Sequence, residues 1–179
     1  VMLTDVIISY INEPFPNAKN APHRHLTRDE MEVFFELCPC TILAVTGSDG
    51  KTTTTTLIYN ILCESGYRCH LGGNIGTPLL CKTDEITEND IAVIELSSFQ
   101  LHTMKKSADI AVITNMSPNH LDVHKSYEEY INSKKNIFKF QKEDDVLVLN
   151  YNDEIVNKFE NEVKGKVVFF SKESKLENG

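Results

Sequence analysis

Apolar runs rich in β-branched residues alternate along most of the chain with longer segments whose apolar residues recur at helical spacing. The apolar runs predict strands at residues 6–9, 41–46, 91–97, 109–115, 145–150 and 166–170. The helical segments predict helices at about 28–38, 52–65, 98–105, 127–140 and 152–162. Because the strands are apolar along nearly their whole length, the pattern favours a doubly wound α/β fold around a mostly parallel sheet.

The segment 11–27 breaks this alternation, because it carries three prolines among scattered polar residues. We interpret residues 1–27 as the end of a preceding domain with its linker. Residues 28–179 are interpreted as the main domain, truncated at its C-terminal end. The first residue is Val1 rather than Met, so the chain is expected to be a piece of a longer protein. The opening residues lack the basic start of a signal peptide.

Charge and cysteine content narrow the possible partners and compartments. The chain has 179 residues and a formal net charge of −8, which argues against a nucleic-acid partner because an acidic chain repels phosphate backbones. No apolar run approaches the roughly 20 residues of a membrane span. Five cysteines without a secretory signal predict reduced thiols and a cytoplasmic location. Cys38 and Cys40 are separated by one residue, so they form no CxxC metal or redox motif and are interpreted as buried or idle thiols.

A glycine-rich loop between a predicted strand and a predicted helix carries the clearest chemical signal. Its glycines allow backbone N–H groups to approach phosphate oxygens, the Lys51 ammonium adds positive charge, and the Thr52 hydroxyl can bind Mg²⁺. The candidate nucleotide-contacting residues are Gly47, Ser48, Asp49, Gly50, Lys51, Thr52 and Thr53. The general pattern GxxxxGK[ST] places glycine where this chain has Val45, so an ordinary glycine-rich turn is the alternative. A run of five threonines at 52–56 favours the functional interpretation, because β-branched residues are mediocre helix formers.

Four segments together resemble the Mur ligase family. The loop TGSDGKTTT is similar to the ATP loop of that family, and the segment 115–122 resembles its metal-binding segment. The segments 72–76 and 95–101 resemble the branch that adds D-glutamate to UDP-N-acetylmuramoyl-L-alanine, since Phe99 stands where branches using diaminopimelate or lysine usually have histidine. The resemblance runs from about residue 41 to residue 150, with the motifs in order.

Glu95 and Asn74 are the candidate groups for metal and substrate outside the loop. Glu95 lies near the end of an apolar strand, where ligands bind in open α/β sheets, and its carboxylate can complete a Mg²⁺ shell with Thr52. The alternative is a glutamate exposed to solvent. The resemblance implies that Asn74 and neighbouring amides bind the substrate's diphosphate with help from Ser97, whereas the residues alone leave a flexible turn equally open.

Lys134 lies near the middle of an apolar stripe on the helix predicted at 127–140, with Lys135 beside it. A snorkelling lysine, with its ammonium in water, is the ordinary explanation. The resemblance implies instead that Lys134, four residues after Tyr130, is carbamylated and binds a second Mg²⁺ together with His120. A zinc site at His120, Asp122 and His124 is disfavoured, because no further ligands follow at the spacing of a closed site.

The resemblance implies an ATP-dependent amide ligase that works through an acyl phosphate. Lys51, His120 and Lys134 would be catalytic, with one Mg²⁺ at Thr52 and Glu95 and a second at His120 and Lys134. Family members carry an N-terminal and a C-terminal domain that this chain lacks, so we expect the chain alone to be inactive. Three alternatives remain: an ATP- and Mg²⁺-binding module without ligase activity, a family member using another amino acid, and a P-loop kinase. Val45 and the scarcity of arginine disfavour the kinase.

Overall fold

The computed structural model describes residues 30–117 and 126–171. They form one sheet of six parallel strands with helices between them. The strands are β1 (Thr41–Thr46), β2 (Cys69–Gly73), β3 (Ile91–Glu95), β4 (Ile110–Ile113), β5 (Val146–Asn150) and β6 (Lys166–Phe170). The helices are α1 (Glu30–Leu37), α2 (Lys51–Glu64), α3 (Ser98–Thr103) and α4 (Tyr127–Lys135), with 3-10 helices at Leu80–Glu85 and Val156–Glu162.

The order of the strands across the sheet places a crevice at the carboxyl end of β1. That order is β2-β3-β1-β4-β5-β6, so β1 is flanked by β3 on one side and β4 on the other. The chain leaves β1 toward β2 and β3, and it returns across β1 to build β4, β5 and β6. This reversal is the topological switch point at which open α/β sheets bind ligands. The predicted α/β fold with a parallel sheet is confirmed.

Buried side chains cover both faces of the sheet. Successive residues of β1 alternate between two apolar clusters, because neighbouring side chains of a strand point to opposite faces. The larger cluster joins Ile42 and Ala44 to the side chain of Phe34 in α1 and to Tyr130 in α4. The smaller cluster packs the other face against α2. Burial on both faces explains why the strands are apolar along nearly their whole length.

Several predicted elements need correction. The helix predicted at 152–162 is a 3-10 helix at Val156–Glu162. The helix predicted at 127–140 ends at Lys135, after which the backbone tightens into bonds between residues three apart. Strand β2 had no predicted limits of its own, because its sequence CHLGG contains no β-branched residue. The strand predicted at 6–9 lies outside the described residues.

None of the helices within residues 30–117 and 126–171 is both long enough and apolar enough to cross a membrane.

Candidate nucleotide-binding site

The loop between β1 and α2 has the backbone geometry of a phosphate-binding loop. Two of its glycines have positive φ angles, 150° at Gly47 and 77° at Gly50, which side chains rarely adopt. A Cβ atom on Gly47 would overlap the Oγ1 atom of Thr114. Gly50 is the N-cap of α2. The first N–H groups of a helix have no partner within the helix, which makes this N-terminus suited to binding an anion.

The segment that follows β4 holds this loop in place. The amide of Ser48 donates to the carbonyl of Asn115 at 3.0 Å, and the amide of Asp49 donates to Asn115 Oδ1 at 2.9 Å. In the other direction, the hydroxyl of Thr114 donates to the carbonyl of Asp49 at 2.7 Å. Ser117 adds a hydrogen bond from its amide to Ser48 Oγ at 2.8 Å. The loop is therefore organised by protein groups, which lowers the cost of ordering it around a ligand.

Two residues at the start of α2 extend this arrangement toward β3. The ammonium of Lys51 donates to the carbonyl of Ser48 at 2.9 Å. The hydroxyl of Thr52 donates to Glu95 Oε2 at 2.7 Å, and the side-chain amide of Asn74 donates to Glu95 Oε1 at 2.8 Å. Glu95 is only 1% exposed, so the alternative of a solvent-exposed glutamate is wrong. The structure brings a hydroxyl, a carboxylate and an amide together beside the loop.

Lys134 reaches the same loop from α4. Its side chain is 2% exposed, and its ammonium donates to the carbonyl of Gly47 at 2.8 Å and to Thr46 Oγ1 at 3.3 Å. The pKa of Lys134 is lowered to about 7, mainly by burial and in part by the positive charge of Lys51, while the negative charges of Glu95 and Asp49 oppose this shift. The snorkelling interpretation is wrong, because the ammonium is buried among loop atoms.

Lys135, the residue after Lys134, lies in a different environment. Its ammonium forms an ion pair with Glu162 at 2.6 Å, and its side chain is 20% exposed. A rotation of about 100° per helical residue separates the two lysines, so one enters the core and the other faces the 3-10 helix at Val156–Glu162. Only Lys134 of this pair contacts the loop.

The candidate substrate residues lie next to each other at the ends of β2 and β3. Asn74 follows β2 in a turn with positive φ angles at Gly73 and Gly76. Its backbone N–H donates to the backbone carbonyl of Glu95 at 2.8 Å. Ser97 caps the N-terminus of α3 and forms a capping box with Gln100. A cleft of about 180 Å³ lies against this region and is lined by Asn74 and Gln100, among others. Ser97 thus has a structural role that the sequence analysis did not assign.

The proposed second metal site is only partly described. His120, together with Asp122 and His124, lies outside the described residues. Among residues 30–117 and 126–171, no group of three or more His, Cys, Asp or Glu side chains is arranged to hold a metal ion. Mg²⁺ at nucleotide sites is commonly held by one or two carboxylates, together with phosphate oxygens and water. Thr52 and Glu95 fit that mode of binding.

Sequence reasoning missed several residues that support the loop. The hydroxyl groups of Ser48 and Tyr130 lie 2.9 Å apart. Asp153 accepts a hydrogen bond from the amide of Met116 at 2.8 Å, and Tyr127 donates to the carbonyl of Met116 at 3.1 Å. Met116 and Ser117 belong to the segment 115–122 noted from the sequence, but nothing near Asp153 in the sequence indicated its contact with that segment.

The fold and this site define a P-loop nucleotide-binding domain of the α/β class. A family model described as the Mur ligase middle domain matches residues 45–178. The chain belongs to the Mur ligase family, which confirms the resemblance seen in its motifs.

Curated relatives match most of this chain with high identity. The chain is 66% identical over 150 residues to the UDP-N-acetylmuramoylalanine--D-glutamate ligase of Acetivibrio thermocellus. It is 60% identical over 150 residues to the protein of the same name from Ruminiclostridium cellulolyticum. Each alignment covers 84% of this chain and 32% of the relative. The chain therefore spans about a third of the length of these relatives.

Solved structures with the same fold include other Mur ligases. The MurF ligase of Thermotoga maritima in complex with ADP superposes with a TM-score of 0.63 at 26% identity, covering 88% of this chain and 40% of that chain. MurF from Acinetobacter baumannii has a TM-score of 0.61 at 18% identity, covering 82% of this chain and 34% of that chain. The second likeness supports the fold alone.

Proposed function

We propose that this chain is the ATP-binding core of an amide ligase that joins D-glutamate to UDP-N-acetylmuramoyl-L-alanine. The observation that carries the proposal is the 66% identity, over 84% of the chain, to a relative named for that activity. The geometry supports the ATP-dependent part, because Lys51, Thr52, Glu95 and Lys134 converge at the carboxyl end of β1. A kinase is less well supported, since the relatives named above are ligases.

The loop would act on ATP mainly through position and charge. The N–H groups at the start of α2 and the Lys51 ammonium would contact phosphate oxygens, after Lys51 leaves the carbonyl of Ser48. Thr52 and Glu95 would hold Mg²⁺, whose positive charge would neutralise the phosphate oxygens. The substrate carboxylate would attack the γ-phosphorus, forming an acyl phosphate and releasing ADP. The amine of D-glutamate would then attack the acyl carbon, releasing phosphate and a proton as the amide forms.

The turn at Asn74 would position the muramoyl substrate. Asn74 already donates to Glu95, so a substrate diphosphate bound there would lie beside the proposed Mg²⁺. Ser97 would assist through its hydroxyl, which now bonds within the capping box of α3. The adjoining cleft leaves room for part of the substrate next to the turn.

Lys134 would act as a carbamate rather than as a lysine. Burial favours its neutral amine, whose nitrogen can attack the carbon of CO₂. A new N–C bond forms, one proton is released, and the product is an anion. Together with His120, that anion would bind a second Mg²⁺, which offsets the cost of a buried negative charge. The hydrogen bond from Lys134 to the carbonyl of Gly47 supports this role, because it places the nitrogen beside the ATP loop.

Variants of the complete enzyme test whether Lys134 works as a carbamate or only as a structural lysine. We expect Lys134→Ala to lower turnover at least about 100-fold, and Lys135→Ala to leave it nearly unchanged. Lys134→Glu should recover part of the loss, since it restores a carboxylate. Removing CO₂ from the buffer should slow the parent but not Lys134→Glu. Equal effects of Lys134→Ala and Lys135→Ala, or no effect of CO₂ removal on the parent, would show that Lys134 only packs.

A chimera tests the ligase proposal directly. The 150 matching residues of the Acetivibrio thermocellus relative are replaced by those of this chain, and formation of ADP and the D-glutamyl product is measured. We expect activity within about tenfold of that relative, and loss of activity with Lys51→Ala in the chimera. A folded chimera that binds ATP but accepts only another amino acid, or none, would overturn the assignment.

The domain limits and the compartment remain part of this proposal. Residues 1–27 would be the end of an N-terminal domain with its linker, and residues 28–179 the central ATP-binding domain, joined in the complete protein to N- and C-terminal domains. The enzyme would work in the cytoplasm. We expect the chain alone to bind ATP without ligating D-glutamate, because closed active sites usually require opposing domains. Measurable ligation by the purified chain would contradict this expectation.

A further inference from the structure

Two thiols meet at the amino end of β1, at the opposite edge of the sheet from the nucleotide site. Cys38 follows α1, and Cys40 precedes β1. Their sulfur atoms lie 3.4 Å apart, with only Pro39 between them in the chain. A disulfide bond requires about 2.05 Å between sulfurs, so the two atoms need to approach by about 1.4 Å. The spacing Cys-x-Cys gave no such indication in the sequence.

The two thiols differ in exposure and in acidity. Cys38 is partly exposed, whereas Cys40 is 6% exposed, so a reagent from solvent meets Cys38 first. The hydrogen bond with Cys40 lowers the pKa of the Cys38 thiol below its ordinary value of 9.0, although burial and the negative charge of Asp109 oppose this effect. The same hydrogen bond and burial raise the pKa of Cys40. Since the thiolate is the reactive form, Cys38 is the natural nucleophile of the pair.

We propose that Cys38 and Cys40 form a reversible dithiol site for small disulfides, in which Cys38 attacks and Cys40 resolves. With oxidised glutathione, the Cys38 thiolate attacks one sulfur, the glutathione S–S bond breaks, and one glutathione leaves as a thiolate. Cys40 then gives up its proton and attacks the Cys38 sulfur, which expels the second glutathione. Two protein thiols are oxidised to one disulfide while one glutathione disulfide is reduced to two thiols, so atoms and electrons balance.

Peptide mapping of the full chain tests the site without any mutation. The chain is incubated with oxidised glutathione, alkylated with iodoacetamide and digested with trypsin. The tryptic peptide 29–51 contains Cys38 and Cys40 and no other cysteine. We expect this peptide to be lighter by two hydrogens, to carry neither label nor glutathione, and to recover both alkylation sites after reduction. Alkylation of both cysteines in the treated parent, or glutathione persisting on Cys38, would overturn the proposal.

Three variants assign the roles of the two thiols. Cys40→Ser should accumulate glutathione on Cys38, because no resolving thiol remains. Cys38→Ser should leave Cys40 unmodified over the same period, because Cys40 is buried. Cys81→Ser, which removes an exposed thiol elsewhere, should behave like the parent. A faster reaction at Cys81 than at Cys38 in the parent would refute the nucleophilic role of Cys38, and circular dichroism of each variant checks that it is folded.

Discussion

The carboxyl ends and the amino ends of the parallel strands form two opposite sides of the sheet, here called its carboxyl edge and its amino edge. Polar residues have different roles at these two edges. At the carboxyl edge, Thr52 and Asn74 both donate to Glu95. Because these hydrogen bonds join one side chain to another, a ligand can replace them without breaking any hydrogen bond of the backbone. At the amino edge, Asp109 accepts from the amide of Ile42 at 2.8 Å and so joins the chain before β4 to β1.

A second carboxylate at the amino edge shows the same structural use. Asp90 accepts from the amide and the hydroxyl of Thr87, each at 3.0 Å, and lies 2.8 Å from His70. Removing such a carboxylate leaves backbone groups of a turn without their partner. The comparison teaches that Glu95 is held by side-chain donors that a ligand can replace, whereas Asp90 and Asp109 accept from backbone amides and hold the fold together.

The largest expected effect on ligand binding concerns ATP at the carboxyl edge. We expect Lys51→Ala to weaken ATP binding about 100-fold, since a hydrogen bond to a charged group contributes up to about 3 kcal/mol. The free energy of unfolding should change by less than about 0.5 kcal/mol, because Lys51 is partly exposed and packs in no core cluster. Calorimetry of the purified chain measures the affinity, and Lys135→Ala is the matched control. An unchanged affinity for Lys51→Ala would show that the loop binds ATP without this charge.

The second prediction compares the loss of stability caused by substituting a glycine of the loop with the loss caused by substituting a glycine outside it. We expect Gly47→Ala to cost about 2–5 kcal/mol of unfolding free energy, because it adds overlap with Thr114 to the strain of a positive φ angle. Gly66→Ala should cost only about 1–2 kcal/mol, because Gly66 also has a positive φ angle but its Cβ atom would meet open space. Urea denaturation measures both. Equal losses of unfolding free energy in the two variants would mean that the Thr114 side chain moves aside at little energetic cost.

A third expectation concerns the pH dependence that Lys134 creates. Its pKa of about 7 in the folded chain lies below the ordinary value of 10.5, so the unfolded chain binds more protons between these two pH values. Stability should therefore rise with pH in this window, by up to about 1.4 kcal/mol per pH unit. The measurement compares urea denaturation of the parent and Lys134→Met in CO₂-free buffer from pH 6 to 10, because other groups titrate in both proteins. Parallel stability curves would contradict the lowered pKa.

The smallest effect lies at the amino edge. The amide of Thr87, followed by His70, lowers the pKa of Asp90 to about 2, below its ordinary value of 3.8. Its carboxylate therefore stabilises the fold above pH 4, and this stabilisation is lost as the pH falls toward 2. We expect Asp90→Asn to lower the melting temperature at pH 7 by a few degrees, with a difference that shrinks on acidification, and to leave ATP affinity unchanged. Asp84→Asn, at an exposed position, serves as the control, and a loss of ATP affinity in Asp90→Asn alone would show that the two edges are coupled.

Much of the fold could be read from local pattern. The apolar runs at 41–46 and 166–170 are strands with the predicted limits. Strand β1 is continuously apolar because it is buried on both faces, whereas β6 is recognisable from its valine and phenylalanine residues, which favour strands. Edge strand β2 had no predicted limits, because its sequence CHLGG contains no β-branched residue. The 3-10 helices were also missed as such, because helical spacing in a short segment does not distinguish them from α-helix.

The ligand loop was determined by the sequence itself. Gly47, Gly50, Lys51 and Thr52 lie within six consecutive residues between a strand and a helix, so their chemistry requires only the local backbone to be formed. The apolar stripe around Lys134 likewise marks this lysine as unusual from the residue pattern alone. In each case the informative residues are close in the chain, and local conformation alone brings them together.

Only the tertiary structure decided which of these groups meet. Thr52 and Glu95 are 43 positions apart, and Lys134 lies 87 positions from Gly47. Their contacts depend on the order of the strands across the sheet, which places β3 and β4 on either side of β1. The direction of the Lys134 ammonium and the 3.4 Å between the sulfurs of Cys38 and Cys40 depend on packing in the same way. Side chains settle into the space that neighbouring elements leave, and that space exists only after the sheet and helices have assembled.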